Sequence, residues 1–140
     1  IWAAIVFDLE LLTIKRLVGG VVMTIATCTA AAAFGIIFAT ACRSRAQLGG
    51  LSTIVILIMS ALGGSMVPKF VAPAVFDITG LFTFNGWALD GYLKVFWFDD
   101  PAAGVLEALR GLAPQLAVLI GMTLVFLFVA RLLARRWETA

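Results

Sequence analysis

Three long windows without a charged residue constrain this chain more than any other feature. Residues 17–42 lie between Arg16 and Arg43, residues 46–68 between Arg45 and Lys69, and residues 111–130 between Arg110 and Arg131. A helix must offer about 20 mainly apolar residues to cross the roughly 30 Å hydrocarbon core of a bilayer. Each window meets that length. In lipid, backbone polar groups must be satisfied inside a helix or a closed barrel, and these windows lack the alternating pattern of barrel strands. The reading is an all-α polytopic membrane protein with three full transmembrane helices, about 18–42, 46–68 and 111–131. Composition agrees: 63% of residues are hydrophobic and 13% charged, where soluble domains run nearer one half and one quarter.

The opening "IWAAIVF" is apolar but only seven residues long and has no basic region before it, so it does not read as a signal peptide. It reads as the end of an earlier span, which makes residues 1–140 the C-terminal part of one larger transmembrane domain. Lysine and arginine placement orients the spans. Arg43 and Arg45 crowd one tight turn, and Arg131, Arg135 and Arg136 crowd the tail. Lys15, Arg16, Lys69, Lys94 and Arg110 are spread along the other side. Density favours the turn and tail as cytoplasmic, so the segment between the second and third spans faces outward. The expected location is a bacterial inner (plasma) membrane.

Small residues recur at four-residue spacing, which lets helix backbones approach closely in lipid. Ala31, Gly35 and Ala39 form one row, and Ser60 and Gly64 another. They read as helix-packing positions, within the chain or at a subunit interface. Cys28 and Cys42 fit no disulfide or metal pattern and read as small apolar packing residues.

The outward segment, about 69–100, is too punctuated to span and too apolar for an ordinary loop. Pro68 removes a backbone donor and is expected to end the second span; Pro73, Gly80, Asn85 and Gly86 follow. The longest uncharged stretch, Ile78 to Leu89, has twelve residues, a length that suits a re-entrant or interfacial element. Two short helices are expected, at about 72–81 and 87–98, with Asp90 and Lys94 paired at i and i+4. Aromatics crowd it: Phe82, Phe84, Trp87, Tyr92, Phe96, Trp97 and Phe98. Trp and Tyr favour the membrane boundary, so the segment is either an anchor that sets depth or an outer gate over a substrate path.

Much chemistry has no residues to perform it. The chain has no His, which removes His-based acid–base catalysis and most zinc sites. No serine has a nearby base. No carboxylate falls inside a span, where it would have suggested ion coupling. No phosphate-binding G-x-x-x-x-G-K-[ST] loop occurs, so no ATP binding by that device is expected here. A net charge of +2 is too small to point to nucleic acid.

The block from "FGIIFATACRSRAQ" through "GGSMVPKFVAP" to "TFNGWALDGYLKVFW" resembles the C-terminal part of ABC type-2 transporter permeases. The likeness rests on Phe34, Gly35 and Ala39 before a basic turn with Gln47. It rests further on a span ending in "GGSMVP" with a second proline after it, and on the aromatic run before a last span with a basic end. It covers roughly residues 20–137. The family implies a six-helix permease that pairs with a second permease copy and binds ATP-binding-cassette ATPase subunits, which hold ATP and Mg. It implies no cofactor in this chain and no enzymatic activity of its own. It also implies two short re-entrant helices before the last span. The outer lining of the translocation path would then map onto Gly63, Gly64, Pro68, Pro73, Asn85, Trp87, Asp90 and Tyr92. Arg43, Arg45 and Gln47 of the turn would be the remaining inner contacts. Many members carry Pro near the position of Asn85; "FNGW" here suggests a subgroup resembling multidrug or antibiotic-resistance exporters. The expected function is export of amphiphilic substrates (drug, lipid or glycolipid). Against it stand a structural or assembly protein without transport activity, and a lipid enzyme using Asp90 with Asp99 or Asp100.

Overall fold

The structure is a computed structural model that describes residues 13–66, 75–98 and 104–138. All regular structure among them is α-helical. The helices are α1 (Ile14–Ala41), α2 (Arg45–Leu62), α3 (Val75–Gly80), α4 (Phe84–Phe96), α5 (Val105–Gly111) and α6 (Ala113–Glu138). Three of them, α1, α2 and α6, are long and apolar enough to cross a membrane. The opening apolar run and the prolines Pro68 and Pro73 lie outside the described residues.

At 1.5 Å per residue, α1 is about 42 Å long, α6 about 39 Å and α2 about 27 Å. Several of their hydroxyls are satisfied locally. Thr24, Thr29 and Thr40 donate to the carbonyls of Gly20, Ile25 and Ile36 at 2.7, 2.7 and 2.9 Å, and Thr53 and Thr123 donate back to Gly49 and Leu119. Such bonds to the i−4 carbonyl let hydroxyls sit in an apolar setting.

The α1–α2 turn is held by its own sequence. Ser44, at φ −138°, caps α2 by accepting from the Gln47 amide at 3.2 Å. Gln47 Oε1 reaches back to accept from the Arg43 amide at 3.1 Å. This is a capping box displaced by one residue. At its other end α2 stops at Leu62, short of the expected boundary. Ser65 N–H bonds to Ser60 O at 3.1 Å and Gly64 N–H to Ala61 O at 3.3 Å, with Gly64 at φ 76°. This is the glycine-terminated helix end that needs a left-handed residue, so the stop comes from Gly64 rather than from a proline.

Helices α1 and α6 run parallel. Gly19 lies against Leu112 at one end, and the rings of Phe34 and Phe126 sit 5.1 Å apart toward the other. Helix α4 lies antiparallel along α1: Phe84 meets Phe34, Tyr92 meets Thr24 and Val95 meets Gly19. The first turn of α4 is therefore level with a point about 30 Å along α1, past its midpoint. Met23, Ala30, Val95, Leu112 and Leu119 form the buried core of this α1–α4–α6 packing.

Helix α2 is different. It has no buried residue, and Ile54, Ile56, Leu57 and Ile58 are all more than half exposed. Helix α5 was not expected from the sequence. It is separated from α6 at Leu112, because Pro114 in the first turn of α6 has no N–H to continue the ladder.

Candidate functional site

The expected short helices appear as α3, described from Val75 onward, and α4, which begins three residues before its sequence-read start at 87. Thr83 caps α4, accepting from the Gly86 amide at 3.1 Å, so α4 starts before Asn85 and Trp87 instead of at Trp87. Gly80 and Gly86 are pressed together: a Cβ on Gly86 would collide with the Gly80 carbonyl oxygen and lie 2.9 Å from its carbonyl carbon. Only glycine at 86 lets α3 fold back so closely on α4. Trp87 locks the turn between them, its indole N–H donating to Leu81 O at 2.9 Å.

Three polar links tie α4 to the three long helices, one each. Asn85 Nδ2 donates to Ser60 Oγ of α2 at 3.4 Å, at the long end for such a bond. Tyr92 and Thr24 of α1 share a hydroxyl–hydroxyl bond of 3.0 Å. Gln115 of α6 donates from Nε2 to Asp90 Oδ2 at 2.6 Å. Gln115 is 3% exposed, and its Oε1 is buried without a hydrogen-bond partner. Asp90 also faces Lys94 at 4.0 Å, the expected i, i+4 pair. With both side chains about 40% exposed, that pair contributes at most a few tenths of a kcal/mol.

Close backbone approach completes the seat. A Cβ on Gly91 would run into Met23 Cε and stand 2.8 Å from its Sδ, and Met23 is fully buried. A Cβ on Gly63 would meet Asn85 Cβ, Met59 O and Thr83 Oγ1, each at 2.9 Å. Gly63 is thus, beside the Ser60–Asn85 bond, a point where the end of α2 touches α4. Below it, the rings of Phe34, Phe38, Phe84 and Phe126 form one cluster joining α1, α4 and α6.

Beneath the first turn of α4, between α1 and α2, lies a cavity of about 610 Å³. Phe34, Phe38, Ile56 and Met59 make its wall mainly apolar, with Thr27, Ser52 and Asn85 as polar points. Thr27 Oγ1 is buried and has no hydrogen-bond partner.

The structure thus brings Gly63, Asn85, Trp87, Asp90 and Tyr92 onto one element and its immediate contacts. Gly64 stands apart as a helix terminator. Ala31, Gly35 and Ala39 do not pack helices of this chain together: all three are exposed, and a Cβ on Gly35 would meet nothing within 4 Å. Ala31 and Gly35 line the cavity instead. Close packing in α1 falls to Gly19, Ala30 and Ala33, which are buried. Cys28 is exposed, not packed, while Cys42 is buried. Arg43, Arg45 and Gln47 lie exposed at the turn. Asp99 and Asp100 lie outside the described residues, and Asp90 contacts a carboxamide and an ammonium. Among the described residues no three His, Cys, Asp or Glu side chains gather as a metal site would require.

Comparison with known proteins finds no matching family model, no similar curated protein and no similar solved structure.

Proposed function

We propose that this chain is the membrane-embedded part of an ABC type-2 permease, which exports amphiphilic molecules with energy from a separate ATPase subunit and works beside a second permease copy. The observation that carries the reading is the placement of α4. It is a short helix seated along α1 with its first turn past the midpoint of that span, and an amphipathic cavity of about 610 Å³ lies under its tip. In this reading α3 and α4 form a re-entrant hairpin entering from the outer side. Irregular backbone at membrane depth needs cover from protein or a water-filled cavity; α2 meets the turn through Thr79, which donates to Leu62 O at 3.3 Å, and α1 and α6 meet the first turn of α4 through Phe84. The cavity volume falls in the roughly 300–1,000 Å³ range of small-molecule sites. A wall of apolar side chains with a few hydroxyl and amide groups suits a substrate with a large apolar body and a small polar one. The unpartnered Thr27 hydroxyl is a ready donor for that polar part.

The three polar links also favour a second reading, a structural protein in which α4 is a fixed strut. ATP-dependent accumulation of a fluorescent amphiphile in inside-out membrane vesicles separates the two. Trp87→Asp places a charge at the hairpin turn, and is expected to cut accumulation about tenfold or more while the chain still inserts. Equal accumulation by Trp87→Asp and the native chain would overturn the gate. No ATP dependence at all would leave the strut.

A further inference from the structure

The polar atoms around the cavity between α1 and α2 differ in what they have left to offer. Thr24, Thr29, Thr40, Thr53 and Thr123 each donate to the carbonyl four residues back. Thr27 departs from that habit. It lines the cavity, and its Oγ1 is buried with no hydrogen-bond partner. Ser52, on the α2 side, gives its proton to Gly49 O at 3.2 Å, so toward the cavity it can only accept. Asn85, above them, uses Nδ2 on Ser60, and a carboxamide carries a second N–H and a carbonyl oxygen besides.

We propose that this cavity takes an uncharged, ring-bearing molecule and holds it by a carbonyl or ether oxygen that accepts from Thr27. This names the substrate class of the site proposed above and rests on that reading. A buried hydroxyl without a partner is costly. A ligand oxygen removes that cost, whereas a purely apolar ligand leaves it in place.

The walls select the rest of the molecule. Phe34, Phe38 and Phe84 line the cavity, and Phe34 sits 4.9 Å from Phe38 and 5.6 Å from Phe84 between ring centroids. Phe126 backs the same group at 5.1 Å from Phe34. The rings hold one another, so their faces and edges are set before a ligand arrives. A rigid ring system packs on such a surface with little loss of freedom. Among the described residues, no Lys, Arg, Asp or Glu lines the cavity. Arg45, one turn before Leu48 on α2, is exposed and is not part of the lining. An ion placed there would lose its water and gain no opposite charge. A carbonyl needs only the one donor that Thr27 supplies.

Energy transfer from tryptophan to pyrene probes, with the full chain in lipid nanodiscs, tests it. Four probes share one ring system: methyl pyrenebutanoate, butylpyrene, pyrenebutyltrimethylammonium and pyrenebutanesulfonate. Gly35→Leu supplies the reference. Gly35 lines the cavity and a Cβ there meets nothing within 4 Å, so a leucine fills the space without displacing a neighbour. Transfer that this variant removes is binding in the cavity. The ester is expected to bind about threefold to tenfold more tightly than butylpyrene, the worth of one neutral hydrogen bond. It should exceed both ions by at least about tenfold. Thr27→Val should bring the ester down to the level of butylpyrene and leave butylpyrene itself unchanged, and Thr27→Ser should keep the preference. Arg45→Gln should not alter the order of the four probes. Equal binding of ester and butylpyrene, an ester preference that survives Thr27→Val, an ion bound as tightly as the ester, an order changed by Arg45→Gln, or transfer untouched by Gly35→Leu would each overturn the proposal. The readout needs no ATP. Binding in the expected order without transport would remove the exporter and keep the ligand class, and transport without the ester preference would do the reverse.

Discussion

The Asp90–Gln115 bond is expected to be strongly asymmetric, and the structure says in which direction. Gln115 is 3% exposed, and one of its two polar atoms already has no partner. Asp90 is 39% exposed and keeps Lys94 nearby. Asp90→Leu therefore leaves a buried carboxamide with neither end satisfied. A buried polar group stripped of its partner costs about 1–3 kcal/mol, and a bond to a charged group sits at the upper end of that range. The expected loss is about 2–3 kcal/mol. Gln115→Leu removes the bond and the orphaned atoms together and leaves Asp90 partly exposed, so its expected cost is below about 1 kcal/mol. The double variant should resemble Gln115→Leu, since replacing both partners removes the unsatisfied groups. Equilibrium unfolding in mixed micelles of increasing dodecyl sulfate, followed by tryptophan fluorescence, reads all three. Equal losses in the two single variants would refute the asymmetry. So would a double variant less stable than Asp90→Leu alone.

The same geometry gives sharper expectations for glycine. Gly86→Val should abolish the α3–α4 turn, because the obstacle is the Gly80 backbone and cannot swing aside; with Trp2, Trp97 and Trp137 replaced by Phe, a shifted emission of Trp87 would be the readout, with an unchanged spectrum counting against it. Gly121→Ala, in open space within α6, should be neutral or stabilising by up to about 1 kcal/mol in the same unfolding assay. Phe34→Ala, at the centre of the ring cluster but only half-buried, should cost about 1–3 kcal/mol, less than a fully buried ring, and no measurable loss would show that the rings do not pack as described. Cys28, exposed midway along α1, should react in vesicles with a membrane-permeant maleimide and resist a charged, impermeant thiol reagent; rapid reaction with the charged reagent would place it in water.

How much of this was legible depends on which force set each feature. The three long helices were visible because crossing lipid demands long uncharged runs, and that demand is written locally. The Asp90–Lys94 pair was visible because helix periodicity is local too. The end of α2 was misplaced at Pro68, although "GGS" carried the signal: a glycine after a helix readily takes the left-handed conformation that Gly64 adopts. Likewise Pro114 one residue into α6 marked the break that separates α5. Of the two readings of Ala31, Gly35 and Ala39, packing within the chain is not what the described residues show, because regular spacing does not say which side of α1 meets a neighbour. That choice falls to Gly19, Ala30 and Ala33, through the seating of α4 and α6. The links Thr24–Tyr92 and Gln115–Asp90 join positions far apart in sequence, and no local pattern announces them. Gln115 offered the one hint, as an amide near the start of an otherwise apolar helix.

The depth of the α3–α4 turn tests the account most directly. Phe82 at the turn is 79% exposed and Phe98, just past α4, is 73% exposed, so a nitroxide at either position disturbs little packing. The sixteen-residue separation places them about 20 Å apart along the bundle, given the length of α4. Electron paramagnetic resonance in bilayers, comparing collisions with oxygen and with a water-soluble nickel chelate, reads each depth. A re-entrant hairpin is expected to put the Phe82 label at least about 10 Å deeper in the hydrocarbon than the Phe98 label. Two labels at the same shallow depth would mean that α4 lies in the interface, and the gate reading would fall with it.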